Sequence, residues 1–303
     1  MRHPTHPVAL TGATGFLGSH LADLLLSRGT PLVAALRNPS KAAGLASRGA
    51  VLRVADLAEE EALVEAFSGC GAVVANAAIA VGWGRIDPSA YEVNVTGTEH
   101  TLRAAAKAGV KRVIYVSSVA VYRTRLQIET PEDHPQLDGE RREFDLSQLT
   151  TNLDYSWSKA RAERRAWALA TELGLAMTVV RPGPIYGPRD DKMTDRYAAW
   201  MKRPVLFAPT VSIPHAHAGD VAQAIAGALD TPGSFGRAYN TTGPSVSVYA
   251  FLCAWKRLAG GGPLLVPIPV PVRVAYDNRA AERDLGVRWR AVEEGIQSVL
   301  EAR

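Results

Sequence analysis

The sequence predicts an α/β fold: a doubly wound parallel sheet with helices on both faces, joined to a smaller C-terminal lobe. Three observations lead there. The octapeptide Thr11-Gly12-Ala13-Thr14-Gly15-Phe16-Leu17-Gly18 sits between an apolar run and an amphipathic segment, the strand–turn–helix context of a phosphate-binding glycine loop. Short, mostly apolar runs recur at 8–10, 32–36, 51–54, 72–75, 110–116 and 176–180, as strands covered on both faces of a parallel sheet require. The chain has 303 residues, 47% hydrophobic and 21% charged, enough for a large core with an additional lobe.

In the first unit, Gly12 allows the tight turn, Gly15 lets backbone approach a pyrophosphate, and Gly18 lets the helix lie close on the strand. The helix start, Phe16 and Leu17, offers free N–H groups and the positive dipole end to phosphates. The second strand, Leu32–Leu36, ends at Arg37-Asn38-Pro39-Ser40-Lys41. An acid there would bind a ribose 2′-hydroxyl. Arg37 and Lys41 make the place positive instead, which favours a 2′-phosphate and so NADP(H) over NAD(H). After the third strand, Asp56-Leu57 borders the expected adenine site, where Asp56 accepts from the adenine amino group or caps the acidic helix 59–67. The fourth strand ends in small residues, Asn76-Ala77-Ala78, that leave room for a cofactor. Trp83, in the loop that follows, lies where substrate would approach.

Asn94 is expected to open the next helix, which runs to Lys107. The fifth strand leads into Ser117-Ser118, a polar pair at a buried strand end. Residues 123–154 read as a long polar surface loop. Tyr155 and Lys159, four apart, share one face of a helix that ends at Gly174. The sixth strand ends in Arg181-Pro182-Gly183-Pro184-Ile185-Tyr186-Gly187-Pro188, a rigid exit from the sheet. A helix over 217–229, a strand over 238–240, a helix over 248–258 and a last helix from Ala291 complete the chain. Residues 1–180, with 215–241 returning to them, form the expected nucleotide-binding domain, and 181–303 the substrate lobe.

The formal charge is +4 with acids and bases intermixed, so no nucleic-acid footprint is expected. Two cysteines, Cys70 and Cys253, are expected to be buried apolar residues rather than disulfide partners or metal ligands. The start of the chain carries no apolar leader stretch, and the apolar segment 263–275 is too short to span a bilayer. A cytoplasmic protein with no membrane partner and no metal is expected.

In this order, the motifs TGATGFLG, NVTGT with Asn94, VSSVAVY with Ser118, YSWSK, RPGPIYGP and HAGDVA resemble those of the extended short-chain dehydrogenase/reductase superfamily, the NAD-dependent epimerase/dehydratase type, over nearly the whole chain. The resemblance implies a Rossmann-type sheet. It implies Tyr155 as general acid/base and Lys159 beside it, lowering the phenol pKa and reaching the nicotinamide ribose. Ser118, four before Tyr122, would polarise the substrate oxygen. Asn94 would contact the cofactor, Ser117 would contact it or stand behind it, and Pro182, Gly183 and Ile185 would anchor the carboxamide. Tyr186 joins Trp83 and Ser118 as a candidate substrate residue. Members acting on nucleotide sugars carry Asn where this chain has Pro184, and often an Arg near residues 212–215. Both are missing. The pattern is closer to dihydroflavonol reductases and 3β-hydroxysteroid dehydrogenases. It implies an NADP(H)-dependent ketone or aldehyde reductase, or the reverse alcohol dehydrogenase, on a largely apolar or aromatic substrate. A nucleotide-sugar epimerase or dehydratase is the alternative, and a homodimer through helices 97–107 and 155–173 is a further expectation.

Overall fold

The computed structural model describes residues 6–79, 88–123, 126–139 and 153–303. Its central sheet has seven strands: β1 (Val8–Thr11), β2 (Leu32–Leu36), β3 (Val51–Val54), β4 (Ala72–Ala75), β5 (Arg112–Val116), β6 (Ala176–Pro182) and β7 (Ala238–Thr241). Their order is β7-β6-β5-β4-β1-β2-β3, and every neighbouring pair is parallel. The order reverses between β1 and β4. Open α/β sheets bind ligands at such a reversal, beyond the carboxyl ends of the strands.

The longer helices are α1 (Phe16–Ser27), α2 (Glu60–Phe67), α3 (Pro88–Lys107), α4 (Leu153–Glu172), α5 (Met193–Trp200), α6 (Ala218–Asp230), α7 (Val248–Leu258), α8 (Arg279–Leu285) and α9 (Val292–Glu301). On one face of the sheet, α1, α6 and α8 bury Leu21, Leu25, Val221, Ile225 and Leu285. On the other, α2, α3 and α4 bury Leu63, Phe67, Leu102, Ala162 and Leu169. Every residue of β1, β2 and β4 is buried, because both faces are covered. In α1 the buried residues Gly18, Leu21, Ala22 and Leu25 recur at helical spacing,. At the sheet edge, Val51 and Val54 of β3 are exposed. Arg53 reaches from that edge to the carbonyls of Glu65, Ala66 and Ser68, supplying donors the end of α2 lacks.

A third core lies between α5, α7, α9 and the strand Val205–Pro209, around Tyr186, Tyr197, Phe251, Trp255 and Ile296. No helix among the described residues is long and apolar enough to cross a membrane.

The structure departs from the sequence expectations in several places. Helix α3 begins at Pro88, so Asn94 lies inside it rather than at its start. The N-cap of α2 is Glu59, while Asp56 accepts a hydrogen bond from the N–H of Ala58, an Asx turn rather than a cap. Residues 126–139 are not wholly on the surface. Glu129–Thr130 pairs in parallel with Ala275–Tyr276, and Thr130 and Leu137 are buried. Strand β6 runs on to Pro182, through the expected boundary at residue 180. Helix α8 packs into the core beside the sheet. Cys70 and Cys253 are free and only half-buried.

Candidate active site

Gly12 turns the chain after β1 with φ +70°, a conformation open to glycine and strained for other residues. A Cβ on Gly12 would lie 2.9 Å from Ala77 Cα, and one on Gly18 only 2.0 Å from the Gly12 carbonyl oxygen. The N–H of Gly15 donates to that same oxygen at 3.0 Å. Gly15 is the N-cap of α1, offers no capping side chain, and is followed by no acid in the first turn. The first N–H groups of α1 are therefore left for an anion. Thr11 ties this turn to β4: its hydroxyl oxygen accepts from the N–H groups of Asn76 and Ala77, both at 3.1 Å. Asn76 Nδ2 leans on the carbonyls of Thr11 and Gly12, at 3.4 Å each. Backbone surrounds the site of a Gly18 Cβ, so Gly18→Ala is expected to destabilise the fold by about 3 kcal/mol, read as a lower urea midpoint at unchanged m-value.

At the end of β5, Ser117 is buried, with its hydroxyl beside that of Tyr115. Ser118 caps the single 3₁₀ turn Val119–Val121, its Oγ accepting from the N–H of Ala120 at 3.1 Å. Helix α4 brings Tyr155 and Lys159 to the same place. Lys159 is buried, donates to the Val116 carbonyl at 3.0 Å, and lies 5.4 Å from the Tyr115 ring. Burial pushes its pKa down to about 8, with the Glu163 carboxylate opposing. Tyr155 is half-buried. Burial raises its phenol pKa above the ordinary value, and a hydrogen bond with Ser118 works the other way. This reverses the expected direction of the Tyr155 shift. Desolvation by the surrounding protein outweighs any help the phenolate receives.

These groups line one cleft of about 540 Å³, between the glycine turn, the ends of β4, β5 and β6, and the loop Asp190–Lys192. Among the expected site residues, it brings together Gly12, Gly15, Phe16, Leu17, Gly18, Ala77, Ser117, Ser118, Tyr155, Lys159, Pro182, Gly183 and Ile185. A larger, open groove of about 1020 Å³, lined by Asp220, Arg288, Trp289 and Arg290 among others, holds none of them.

Other expected residues lie elsewhere. Asn94 does not line the cleft: its amide is taken up by Ile79 N–H and C=O and by Ser158 Oγ. Ser158 in turn donates to the Tyr155 carbonyl, so Asn94 fixes the backbone under Tyr155. Asp56 and Leu57 are also absent from the lining. The Leu57 side chain packs where a Gly97 Cβ would stand, and its carbonyl meets His100 Nδ1 at 2.8 Å. Tyr186 is withdrawn from any substrate: it is 1% exposed, packed edge-on to His217 and Phe251. Arg37 is exposed at the end of β2. Trp83 and the side chain of Lys41 lie outside the described residues. Sequence reasoning treated Asn76 only as part of a small-residue strand end. Its contact with the glycine turn comes from the adjacency of β1 and β4, which no local pattern reveals. Thr14, Ala78, Val116 and the acids Asp190 and Asp191 also line the cleft without having been singled out.

The curated relatives include a fatty acid hydroxylase from Mycosarcoma maydis, 32% identical over 188 residues, covering 60% of this chain and 60% of the relative. A 2-alkyl-3-oxoalkanoate reductase from Stenotrophomonas maltophilia is 32% identical over 192 residues, covering 63% and 54%. Cinnamoyl-CoA reductase 1 of Petunia hybrida is 33% identical over 193 residues, covering 60% and 55%. The chain thus spans between about half and three-fifths of the length of these relatives. Among solved structures, the UDP-glucose 4-epimerase of Thermotoga maritima with UDP-glucose has a TM-score of 0.80 at 23% identity, covering 98% of both chains, which shows the shared fold. A family model described as the NAD dependent epimerase/dehydratase family matches residues 8–241. With that match over more than half its length, the chain belongs to the NAD dependent epimerase/dehydratase family.

Proposed function

We propose that this protein is an NADP(H)-dependent oxidoreductase that reduces a ketone or aldehyde on a largely apolar or aromatic small molecule, or oxidises the corresponding alcohol. The observation that carries this reading is the convergence of Ser118, Tyr155 and Lys159 in one cleft with the glycine turn. The cleft suits a nicotinamide dinucleotide on its own chemistry. The close approach at Gly12 and Gly18 packs the glycine turn tightly against β4 and the start of α1, that helix start is open to an anion, and Ser117 lines the cleft beside it. A bound nicotinamide supplies the hydride in such a reaction. Ser118 donates a hydrogen bond to the carbonyl oxygen. Tyr155, whose phenol is held protonated at neutral pH by its surroundings, gives its proton to that oxygen as it becomes an alkoxide. Lys159, one helical turn from Tyr155, brings a cation into the same cleft and offers N–H donors to a ribose. Two relatives named as reductases of a 3-oxoalkanoate and of a cinnamoyl thioester support a carbonyl substrate with an apolar or aromatic tail. A cytoplasmic setting and a homodimer through α3 and α4 fit the same reading.

The choice of NADP(H) rests on Arg37, exposed at the end of β2 where no acid follows the strand. A guanidinium there pairs with a 2′-phosphate and gains nothing from a 2′-hydroxyl. Arg37→Ala is expected to weaken NADPH binding by about tenfold to a hundredfold while leaving NADH binding within about twofold. Titration of tryptophan fluorescence with each nucleotide checks it. Equal losses for both nucleotides would remove the assignment.

A further inference from the structure

Behind the cleft lies a buried ionic network that the proposed reaction does not use. Glu163 sits one turn past Lys159 on α4 and is 0% exposed, while Arg181, near the end of β6, is 3% exposed. Arg181 Nε donates to both carboxylate oxygens of Glu163 at 3.1 Å, and Nη2 donates to Oε1 as well. Gln136 adds a third donor to Oε1 at 3.0 Å. On its other side, Arg181 Nη1 donates to the Tyr122 hydroxyl and to the Glu132 carbonyl. Tyr122 donates to Asn240 Oδ1, and the Asn240 amide holds the carbonyls of Thr130 and Asp277. A buried ion pair adds little net stability over apolar packing of the same shape, so stability alone does not account for this one.

We propose that Glu163 is a positioning residue for Lys159: its carboxylate, clamped by Arg181 at the back of the cleft, holds the buried lysine protonated and fixes the helix face that carries Tyr155. The spacing of four places Glu163 on the Lys159 face of α4. In a desolvated site a carboxylate at that range favours the charged ammonium, and the electrostatics of Lys159 name Glu163 as the group that opposes burial. Among the described residues, Tyr115 on β5 faces the lysine, and Tyr155 on the same helix and Asp190, Asp191 and Lys192 from the cleft loop line the same cleft. Arg181, Tyr122 and Glu132 lie behind the carboxylate. Burial pushes the phenol pKa values of Tyr115 and Tyr155 up, so both stay neutral where Lys159 titrates. The clamp on Glu163 also joins α4 to the carboxyl end of β6, next to Pro182 and Gly183 of the cleft wall.

The proposal rests on the reading of Lys159 as a site residue, and its test needs neither cofactor nor substrate. The full chain, labelled with ¹³C-lysine, is titrated by NMR, with Lys159→Met identifying the signal. In the unaltered protein Lys159 is expected to titrate near 8. Glu163→Gln is expected to lower that value by about one pH unit, a tenfold loss of proton affinity. Glu163→Asp and Arg181→Lys keep the charges and are expected to leave it within about 0.3 unit, even where they lower the melting temperature. A merely structural pair predicts the reverse: loss of stability in all three variants and no distinct response to Glu163→Gln. An unshifted Lys159 in Glu163→Gln, or an equal shift in Arg181→Lys, overturns the proposal. If Glu163→Gln does not fold, the unaltered protein still decides: a Lys159 already neutral at pH 7 contradicts a carboxylate that holds its proton. Separate NADPH oxidation assays keep the two readings apart. The expected Lys159 shifts without any turnover would remove the reductase reading alone, and turnover without those shifts would remove this one alone.

Discussion

Tyr155→Phe is expected to lower carbonyl-reducing turnover by about 10²- to 10⁴-fold, the range general acid catalysis contributes, while nucleotide binding changes by less than about threefold. The phenol is the proton donor in the proposed reaction. Burial raises its pKa above the ordinary phenol value, so at neutral pH it carries the proton that a developing alkoxide needs. The ring remains in Phe, so the packing under it and the start of α4 are preserved. The measurement is steady-state NADPH oxidation with NADPH affinity determined in parallel. A variant that keeps full turnover would show that protons reach the substrate by another route. The direction of the phenol shift adds a pH dependence: reduction is expected to hold its rate through neutral pH, and alcohol oxidation to rise towards alkaline pH as the phenolate forms.

Lys159→Met is expected to abolish turnover and yet to stabilise the fold near neutral pH. The folded state depresses the lysine pKa from 10.5 to about 8. Below pH 8 both folded and unfolded chains carry the proton, and the folded chain bears the full cost of the buried charge. Between about 8 and 10.5 the folded lysine is neutral while the unfolded one stays charged, so that cost is lost as pH rises. The shift corresponds to about 3 kcal/mol, and leaving the Val116 carbonyl without its donor takes back about 1 kcal/mol. A net gain of about 2 kcal/mol is therefore expected at pH 7, shrinking above about pH 8 and turning into a loss of about 1 kcal/mol above about pH 10.5. Denaturant titrations of both proteins across pH 6–11 check the sign and the window. A variant less stable at pH 7 would mean that the lysine stabilises the fold, and that the cleft does not give up stability for activity.

The sheet was legible because a strand buried on both faces must be apolar throughout. β2 and β4 are buried throughout and begin and end where their sequence runs do, and the edge strand β3 keeps its expected bounds with Val51 and Val54 exposed. The glycine turn was legible because only glycine tolerates a Cβ position 2.0 Å from a carbonyl oxygen. Tyr155 and Lys159 were legible as a pair because a spacing of four means one helix face. Other features depend on what is distant in sequence. The start of α3 at Pro88 follows no apolar period in residues 88–93. The pairing of Glu129–Thr130 with Ala275–Tyr276 joins parts of the chain that carry no shared local signal. Asn94, Leu57 and Tyr186 have the residue types of ligand contacts, yet each is consumed by packing or hydrogen bonds behind the cleft. The contacts of Asn76 and Glu163 depend on partners distant in sequence: Asn76 meets Gly12 of the glycine turn, and Glu163 on α4 meets Arg181 on β6.

Net hydride transfer from NADPH at the Ser118, Tyr155 and Lys159 site is the reaction the proposed function requires. Its most direct test is NADPH oxidation, followed at 340 nm, by protein stripped of bound nucleotide, against 3-oxo esters and cinnamoyl-type carbonyls, with the product alcohol quantified. One NADPH is expected to be consumed for each alcohol formed, at a rate that collapses in Tyr155→Phe. A protein that consumes no NADPH, retains tightly bound NAD through purification and interconverts nucleotide-sugar epimers would contradict it.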